Sequence, residues 1–186
     1  MYEVYALKYS ERDTTKCQFF YRESSHDKLT LHYFVWLVLG GPQPVLVDTG
    51  FLGDEAQKRE MRNYVTPASM VERAGIKPGD IPLCLITHLH YDHWAGHSLF
   101  PSAEFWIQKE EVSFWTGPYA GTPAFRGSAN VPSLAGLVTL NYDQRIRMTV
   151  RYQDYKKYEG KSTIRFGDVV DDTKKGSTPP PPAKKQ

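Results

Sequence analysis

The chain has 186 residues, of which 40% are apolar and 13% aromatic, and its formal net charge at pH 7 is +2. This composition is typical of one globular domain with enough apolar residues for a core, and it shows no membrane span. Its two cysteines, Cys17 in a polar stretch and Cys84 in an apolar one, are too few for a disulfide framework, so we expect two free thiols.

The charges are distributed unevenly along the chain. Residues 1–150 contain 14 Lys/Arg and 16 Asp/Glu, whereas residues 151–186 contain 9 and 5. The second segment is polar and rich in proline and lysine, so it cannot build a core and is predicted to be a disordered tail. Because its charges are mixed in sign and no aromatic-glycine repeat accompanies them, we expect neither nucleic acid nor a membrane as a partner.

The amino terminus predicts a strand. Residues 2–7 alternate in the manner of a strand, and they lack the basic stretch and long apolar run of a secretory signal. A cytoplasmic location is therefore the expectation. Residues 10–28 are polar and rich in turn formers, which predicts a surface loop.

A β-hairpin is predicted next. Residues 29–39 are almost all apolar, aromatic or β-branched, a Gly-Gly-Pro turn interrupts them, and residues 45–47 resume the pattern. Asp48-Thr49-Gly50 then ends the second strand. From local sequence alone, this segment is either an ordinary turn capped by aspartate or a strand end that delivers a carboxylate to the rim of a site.

Two helices are predicted before the next strand. Asp54 is a suitable N-cap for a helix over residues 55–65, and a second helix is predicted over residues 68–74, with Gly75 as its C-cap glycine. The apolar run at residues 83–86 then suits a strand buried on both faces. This order of strands and helices favours a layered α/β architecture.

The strongest functional signal is the pattern His88-x-His90-x-Asp92-His93, which directly follows that apolar run. His88 and His90 are two residues apart, so in extended backbone their side chains leave the same face and can reach one ion. Asp92 and His93 fall in a turn into a helix and project differently, which suits a second ion. Imidazole and carboxylate without thiolate are the ligands of hydrolytic zinc, iron, manganese or cobalt centres, although a surface histidine-rich loop is the simpler alternative.

The segment after the motif is less informative. His97 lies one helical turn beyond His93, either as a further ligand or as a packed or solvated histidine. Residues 103–107 predict a strand and residues 109–115 a helix, whose two initial acidic residues suit the positive end of its dipole. Residues 117–132 predict an extended loop able to cover a site, and residues 141–150 a further strand, while residues 134–140 fit either a helix or a strand.

The histidine motif, with Thr87 before it and Gly96 after it, resembles the signature of the metallo-β-lactamase-fold hydrolases. Within that superfamily the chain is similar to the N-acyl homoserine lactonase-like, quorum-quenching proteins over about residues 1–148. This closer similarity is carried by residues 2–9, Tyr33-Phe34-Val35-Trp36, Val47-Asp48-Thr49-Gly50-Phe51 and Leu140-Asn141-Tyr142-Asp143 with Arg145.

The resemblance implies an α/β fold, the αββα sandwich, with two metal ions, usually Zn²⁺, at one edge. His88 and His90 would bind the first ion, Asp92 and His93 the second, and Asp48 would support these ligands from behind. The metals would lower the pKa of a bridging water, and the resulting hydroxide would attack the carbonyl of a small lactone or ester, with Asp92 as the catalytic residue that handles the proton.

The chain also departs from the family. The family completes its site with a downstream histidine, a bridging aspartate and a last histidine, but this chain has no histidine after His97 and only Asp168 as a weak candidate for the bridging ligand. We therefore expect the N-terminal half to two-thirds of the sandwich, within residues 1–150.

Three explanations of this departure are open: a truncated or mis-spliced chain, a site completed by another chain, or a non-catalytic remnant. The alternative function is accordingly a fragment that binds metal weakly or docks onto a partner. An incomplete sandwich would expose an apolar sheet face and unpaired edges, through which the chain would self-associate. The acyl chain, the metal and the oligomeric state are not determined by the sequence.

Overall fold

The computed structural model describes residues 1–122, 125, 127–142 and 146–147. They form a six-stranded mixed sheet in which the strands lie side by side in sequence order. The first three strands pair antiparallel, and the third to the sixth pair parallel. The strands are β1 (Glu3–Thr15), β2 (Lys28–Leu39), β3 (Val45–Val47), β4 (Leu83–Ile86), β5 (Glu104–Ile107) and β6 (Ile146–Arg147).

Helices connect the parallel strands, as a sheet of this kind requires. They are α1 (Gly53–Lys58), α2 (Pro67–Arg73), α3 (Tyr91–Trp94), α4 (Lys109–Thr116) and α5 (Val131–Tyr142), with 3-10 turns at Lys16–Gln18, Pro78–Asp80, His97–Leu99 and Pro118–Gly121. No helix in the described part of the chain is both long and apolar enough to cross a membrane. These elements confirm the predicted α/β fold class.

The sheet buries one face beneath the helices and exposes the other. On the buried face, Leu46 and Cys84 are neighbours in adjacent strands and are both fully buried. On the opposite face, the paired residues Leu85 and Trp106 are 36% and 41% exposed. The prediction that β4 is buried on both faces is therefore wrong, because the described residues cover only one side of the sheet with helices.

Strand β1 is longer than predicted. Residues 10–15, expected in a surface loop, continue β1 and pair with β2 from Ser10 opposite Tyr33 to Thr15 opposite Lys28. The register shifts between Lys8 and Ser10. Cross-strand pairing with β2 thus overrides the polar composition of this segment.

The first helix is shorter than predicted. α1 ends at Lys58, its N-cap is Leu52 rather than Asp54, and Glu60 and Asn63 have positive φ angles of 54° and 51°. Residues 60–63 cannot continue a helix because Arg62 exchanges two backbone hydrogen bonds with Glu11 of β1.

The other elements agree more closely with the sequence. α2 begins after Thr66, whose hydroxyl accepts the Ser69 amide, and Gly75 has the φ of +88° expected of a C-cap glycine. The undecided stretch at residues 134–140 lies in helix α5, which also takes in residues 141 and 142, the first two of the strand predicted over residues 141–150. The tail at residues 151–186 lies outside the described residues.

Candidate metal centre

The predicted ligand residues come together at the end of β4. His88 and His90 lie in the loop after the strand, and Asp92 and His93 lie in the single turn of α3. The ring centroid of His88 is 4.4 Å from that of His90 and 3.9 Å from that of His93. Asp92 joins them, with its Oδ2 atom 3.5 Å from Nε2 of His93. The four side chains therefore form one cluster, here called the motif cluster.

Asp48 supports the motif cluster from beneath. This residue follows β3, is only 3% exposed and has a positive φ of 63°. Its Oδ2 atom lies 2.7 Å from Nδ1 of His93, and its Oδ1 atom accepts the amide of Thr87 at 2.8 Å and its hydroxyl at 3.0 Å. Asp48 thereby holds His93 with Nε2 turned towards Asp92, which is how a carboxylate behind a metal-binding histidine fixes the ring.

Backbone contacts connect the segment after β3, which carries Asp48, to α3. The amide and the hydroxyl of Thr49 both donate to the carbonyl of His93, at 2.8 and 3.0 Å. The amide of Gly96 donates to the carbonyl of Gly50 at 2.7 Å. The segment after β3 and the helix that carries His93 therefore form one unit, although some 45 residues of sequence separate Asp48 from His93.

Residues outside the histidine motif also pack around the cluster. The hydroxyl of Tyr9 donates to the Asp92 carbonyl at 3.0 Å, the Arg59 guanidinium stacks 3.5 Å above the ring of Tyr91, and Glu111 accepts the amide of Leu89 at 3.0 Å. These residues come from β1, from the turn after α1 and from α4. No local pattern marks them, because each reaches the cluster only through the tertiary fold.

The environment sets different protonation states within the cluster. Burial lowers the pKa of His88 and of His90, so both are neutral near pH 7. For His88, the neighbouring imidazoles of His93 and His90 lower the pKa further. For His93, burial is outweighed by the hydrogen bonds to Asp48 and Asp92, which raise its pKa to about 9. For Asp92, burial is likewise outweighed by the bond to His93, which lowers its pKa and keeps the carboxylate ionised.

The metal-free protein is expected to lose stability as the pH rises from 6.5 to 9. The pKa of His93 is raised from its ordinary value of 6.5 to about 9, so its stabilising contribution is complete below pH 6.5 and disappears as the folded-state imidazole deprotonates. The lowered pKa values of His88 and His90 act in the opposite sense, below pH 6.5. Urea unfolding in the presence of EDTA across pH 5.5 to 9.5 measures this.

The matched variant for this experiment is Asp48→Asn, which keeps an acceptor oxygen but removes the charge beside His93. Its stability is expected to decline less between pH 6.5 and 9 than that of the unmodified chain. Equal slopes for the two proteins would contradict the assignment of the raised pKa to the Asp48–His93 contact.

The imidazole and carboxylate donors of the cluster fit a divalent metal in their chemistry, but their positions do not form a shell around one ion. Within residues 1–122, 125, 127–142 and 146–147, no three His, Cys, Asp or Glu side chains are placed to hold one metal together. Instead, His93 directs one nitrogen to Asp48 and the other to Asp92. The candidate bridging ligand Asp168 lies outside the described residues.

His97 is a half-buried residue that packs against Trp94 at the end of α3. Its ring stacks on Trp94 with centroids 4.4 Å apart and an interplanar angle of 8°, and its Nδ1 atom lies 3.2 Å from the Trp94 carbonyl oxygen. On the other side, a Cβ at Gly136 of α5 would lie 2.5 Å from its Nε2 atom. Of the two roles open from the sequence, these contacts favour the packed histidine.

Imidazoles and carboxylates gathered at the end of a strand of an α/β sheet are donors of the kind that hydrolytic metal centres use. The family model of the Metallo-beta-lactamase superfamily matches residues 30–179, and the chain belongs to this superfamily. No curated protein sequence matches the chain.

Solved structures with the same fold include three hydrolases. The hydrolase AbOPH of the beta lactamase superfamily has a TM-score of 0.60 at 19% identity, with 80% of this chain and 57% of that one covered. For a probable metal-dependent hydrolase from Staphylococcus aureus, the TM-score is 0.59 at 14% identity, with 82% of this chain and 60% of that one covered. For AidC, a dizinc quorum-quenching lactonase in complex with a product, the TM-score is 0.61 at 18% identity, with 85% of this chain and 60% of that one covered.

At these low identities, the TM-scores show a shared fold and nothing further. The chain spans only 57% to 60% of the length of these three structures, so the described residues correspond to part of the metallo-β-lactamase fold. The predicted partial sandwich is confirmed to this extent.

Proposed function

We propose that this chain is a metal-dependent hydrolase of the lactonase-like type, acting on a small lactone or ester. His88, His90, Asp92 and His93 would bind the metal, with Zn²⁺ the first candidate. The observation that carries the proposal is the clustering of these four side chains over the buried carboxylate of Asp48. Membership of a superfamily of hydrolases and the likeness to a dizinc lactonase support it.

The residues of the cluster would have different roles because their protonation states differ. A bound divalent ion supplies a nucleophilic water at neutral pH and polarises the substrate carbonyl. Neutral His88 and His90 present lone pairs, since burial lowers their pKa values. Asp48 takes the hydrogen bond of His93 Nδ1 and leaves Nε2 facing Asp92, whose ionised carboxylate is placed to hold or pass on a proton.

The test is the metal content and the activity of the purified chain. After loading with zinc, we expect up to about two equivalents of metal and zinc-dependent hydrolysis of lactone or ester substrates. His90→Ala and Asp92→Asn are each expected to lower turnover by at least ~100-fold, because the first removes a metal ligand and the second removes the charge of one. His26→Ala, in the exposed loop between β1 and β2, is the matched control and should retain full activity.

A second candidate function is a non-catalytic fragment that docks onto a partner or onto itself. The exposed apolar pair Leu85 and Trp106 on the open sheet face favours it. In the experiment above, absence of zinc binding and of hydrolysis would reject the hydrolase proposal and leave this candidate. Sedimentation measurements would then detect self-association of the chain.

A further inference from the structure

The loop that carries His88 and His90 is held by two carboxylates, those of Asp48 and Glu111. Residues 87–90 lie outside the helices and strands. The amide of Thr87 donates to Asp48, as described above, and the amide of Leu89 donates to Oε2 of Glu111 at 3.0 Å. His88 lies between these two anchored amides, and His90 directly follows the second.

We infer that Glu111 of α4 is a positioning residue that fixes the backbone between His88 and His90 and so sets the placement of both imidazoles. This inference rests on the proposed function where it concerns metal. Leu89 itself is 1% exposed, so its anchored amide and its buried side chain leave the loop little freedom to rotate. A residue held in this way at its centre presents the side chains on either side in one fixed relation.

Glu111 is in turn fixed by its own helix. The indole Nε1 of Trp115, one turn further along α4, donates to the same Oε2 atom at 3.2 Å. The Trp115 ring also meets His90 edge to face, with centroids 5.8 Å apart. Glu111 and Trp115 therefore form one support that contacts the loop through its backbone and through the His90 ring.

A comparison with the neighbouring residue Glu110 distinguishes this positioning role from a general effect of negative charge at the start of the helix. Both acids lie in the first turn of α4, where a negative charge stabilises the helix dipole by a similar amount. Only Glu111 contacts the Leu89 amide. A variant at Glu110 thus reproduces the loss of helix-terminal charge without the loss of the loop anchor.

The experiment compares Glu111→Ala, Glu111→Gln and Glu110→Ala in the full chain. In the metal-free protein, we expect faster hydrogen exchange of the Leu89 amide and broadened or doubled imidazole NMR signals of His88 and His90 for Glu111→Ala alone. Glu111→Gln keeps an acceptor oxygen and should retain most of the unmodified spectrum. In the metal-loaded protein, Glu111→Ala should weaken zinc binding by about 10- to 100-fold and change the Co²⁺ absorption spectrum.

Unchanged imidazole signals in Glu111→Ala, or equal changes in Glu110→Ala, would overturn the inference. The NMR comparison needs no metal, so it decides the role of Glu111 even if the unmodified chain takes up no zinc. A chain without zinc would count against the proposed function alone.

Discussion

Replacing Asp48 with alanine is expected to lower the free energy of unfolding by about 2–4 kcal/mol, because it leaves buried partners without their acceptor. The Asp48 carboxylate accepts from the amide and the hydroxyl of Thr87 and from Nδ1 of His93. After truncation, the pKa of His93 should fall from about 9 towards its ordinary value, since its hydrogen bond to Asp48 is gone. Urea unfolding and NMR titration of the His93 ring measure the two effects.

The control for this change is Asp13→Ala. Asp13 is also an aspartate with an ion pair, to Arg62, but its side chain is 57% exposed, so the expected loss is below about 0.5 kcal/mol. Equal losses for the two variants would show that Asp48 contributes no more than a surface charge. A large loss without a change in the His93 pKa would show that Asp48 anchors only Thr87.

The elements that the sequence predicted well are those whose signals are local. Two apolar runs around a Gly-Gly-Pro turn predict the hairpin of β2 and β3, and Gly75 marks the end of α2. The proximity of His88 and His90 has the same local origin, whereas their role as metal ligands stays a prediction. His88 and His90 need only two-residue spacing in extended backbone to share a face, and they lie with ring centroids 4.4 Å apart.

The elements that were missed depend on contacts between distant parts of the chain. Residues 10–15 read as a loop because they are polar, yet they pair with β2. α1 ends early because Arg62 bonds to Glu11. Glu111 is indistinguishable in sequence from Glu110, and only the packing of α4 against the loop separates them. The position of Asp48 beneath His93 was predicted from a family resemblance, since its local sequence also fits an ordinary turn.

Close backbone packing explains why Gly96→Ala is expected to cost about 3 kcal/mol or more of unfolding free energy. A Cβ at this position would lie 2.2 Å from the carbonyl oxygen of Thr49 and 3.1 Å from its carbonyl carbon, so the obstacle is backbone that no side-chain rotation can relieve. The φ of Gly96 is −90°, which other residues adopt without strain. Lack of space, and not backbone conformation, therefore requires glycine here.

Relief of this clash must separate α3 from the loop that follows β3. The bonds at risk are those from the Thr49 amide to the His93 carbonyl and from the Gly96 amide to the Gly50 carbonyl. The Asp48–His93 contact depends on the same approach, so the pKa of His93 should fall in the variant as it does in Asp48→Ala. Gly79→Ala is the matched control, because a Cβ at Gly79 meets nothing within 4 Å, and its unfolding free energy should change by less than about 0.5 kcal/mol. If Gly96→Ala unfolded at the same urea concentration as Gly79→Ala and kept the raised pKa of His93, the close approach of the two segments would not be what holds the histidine over its carboxylate.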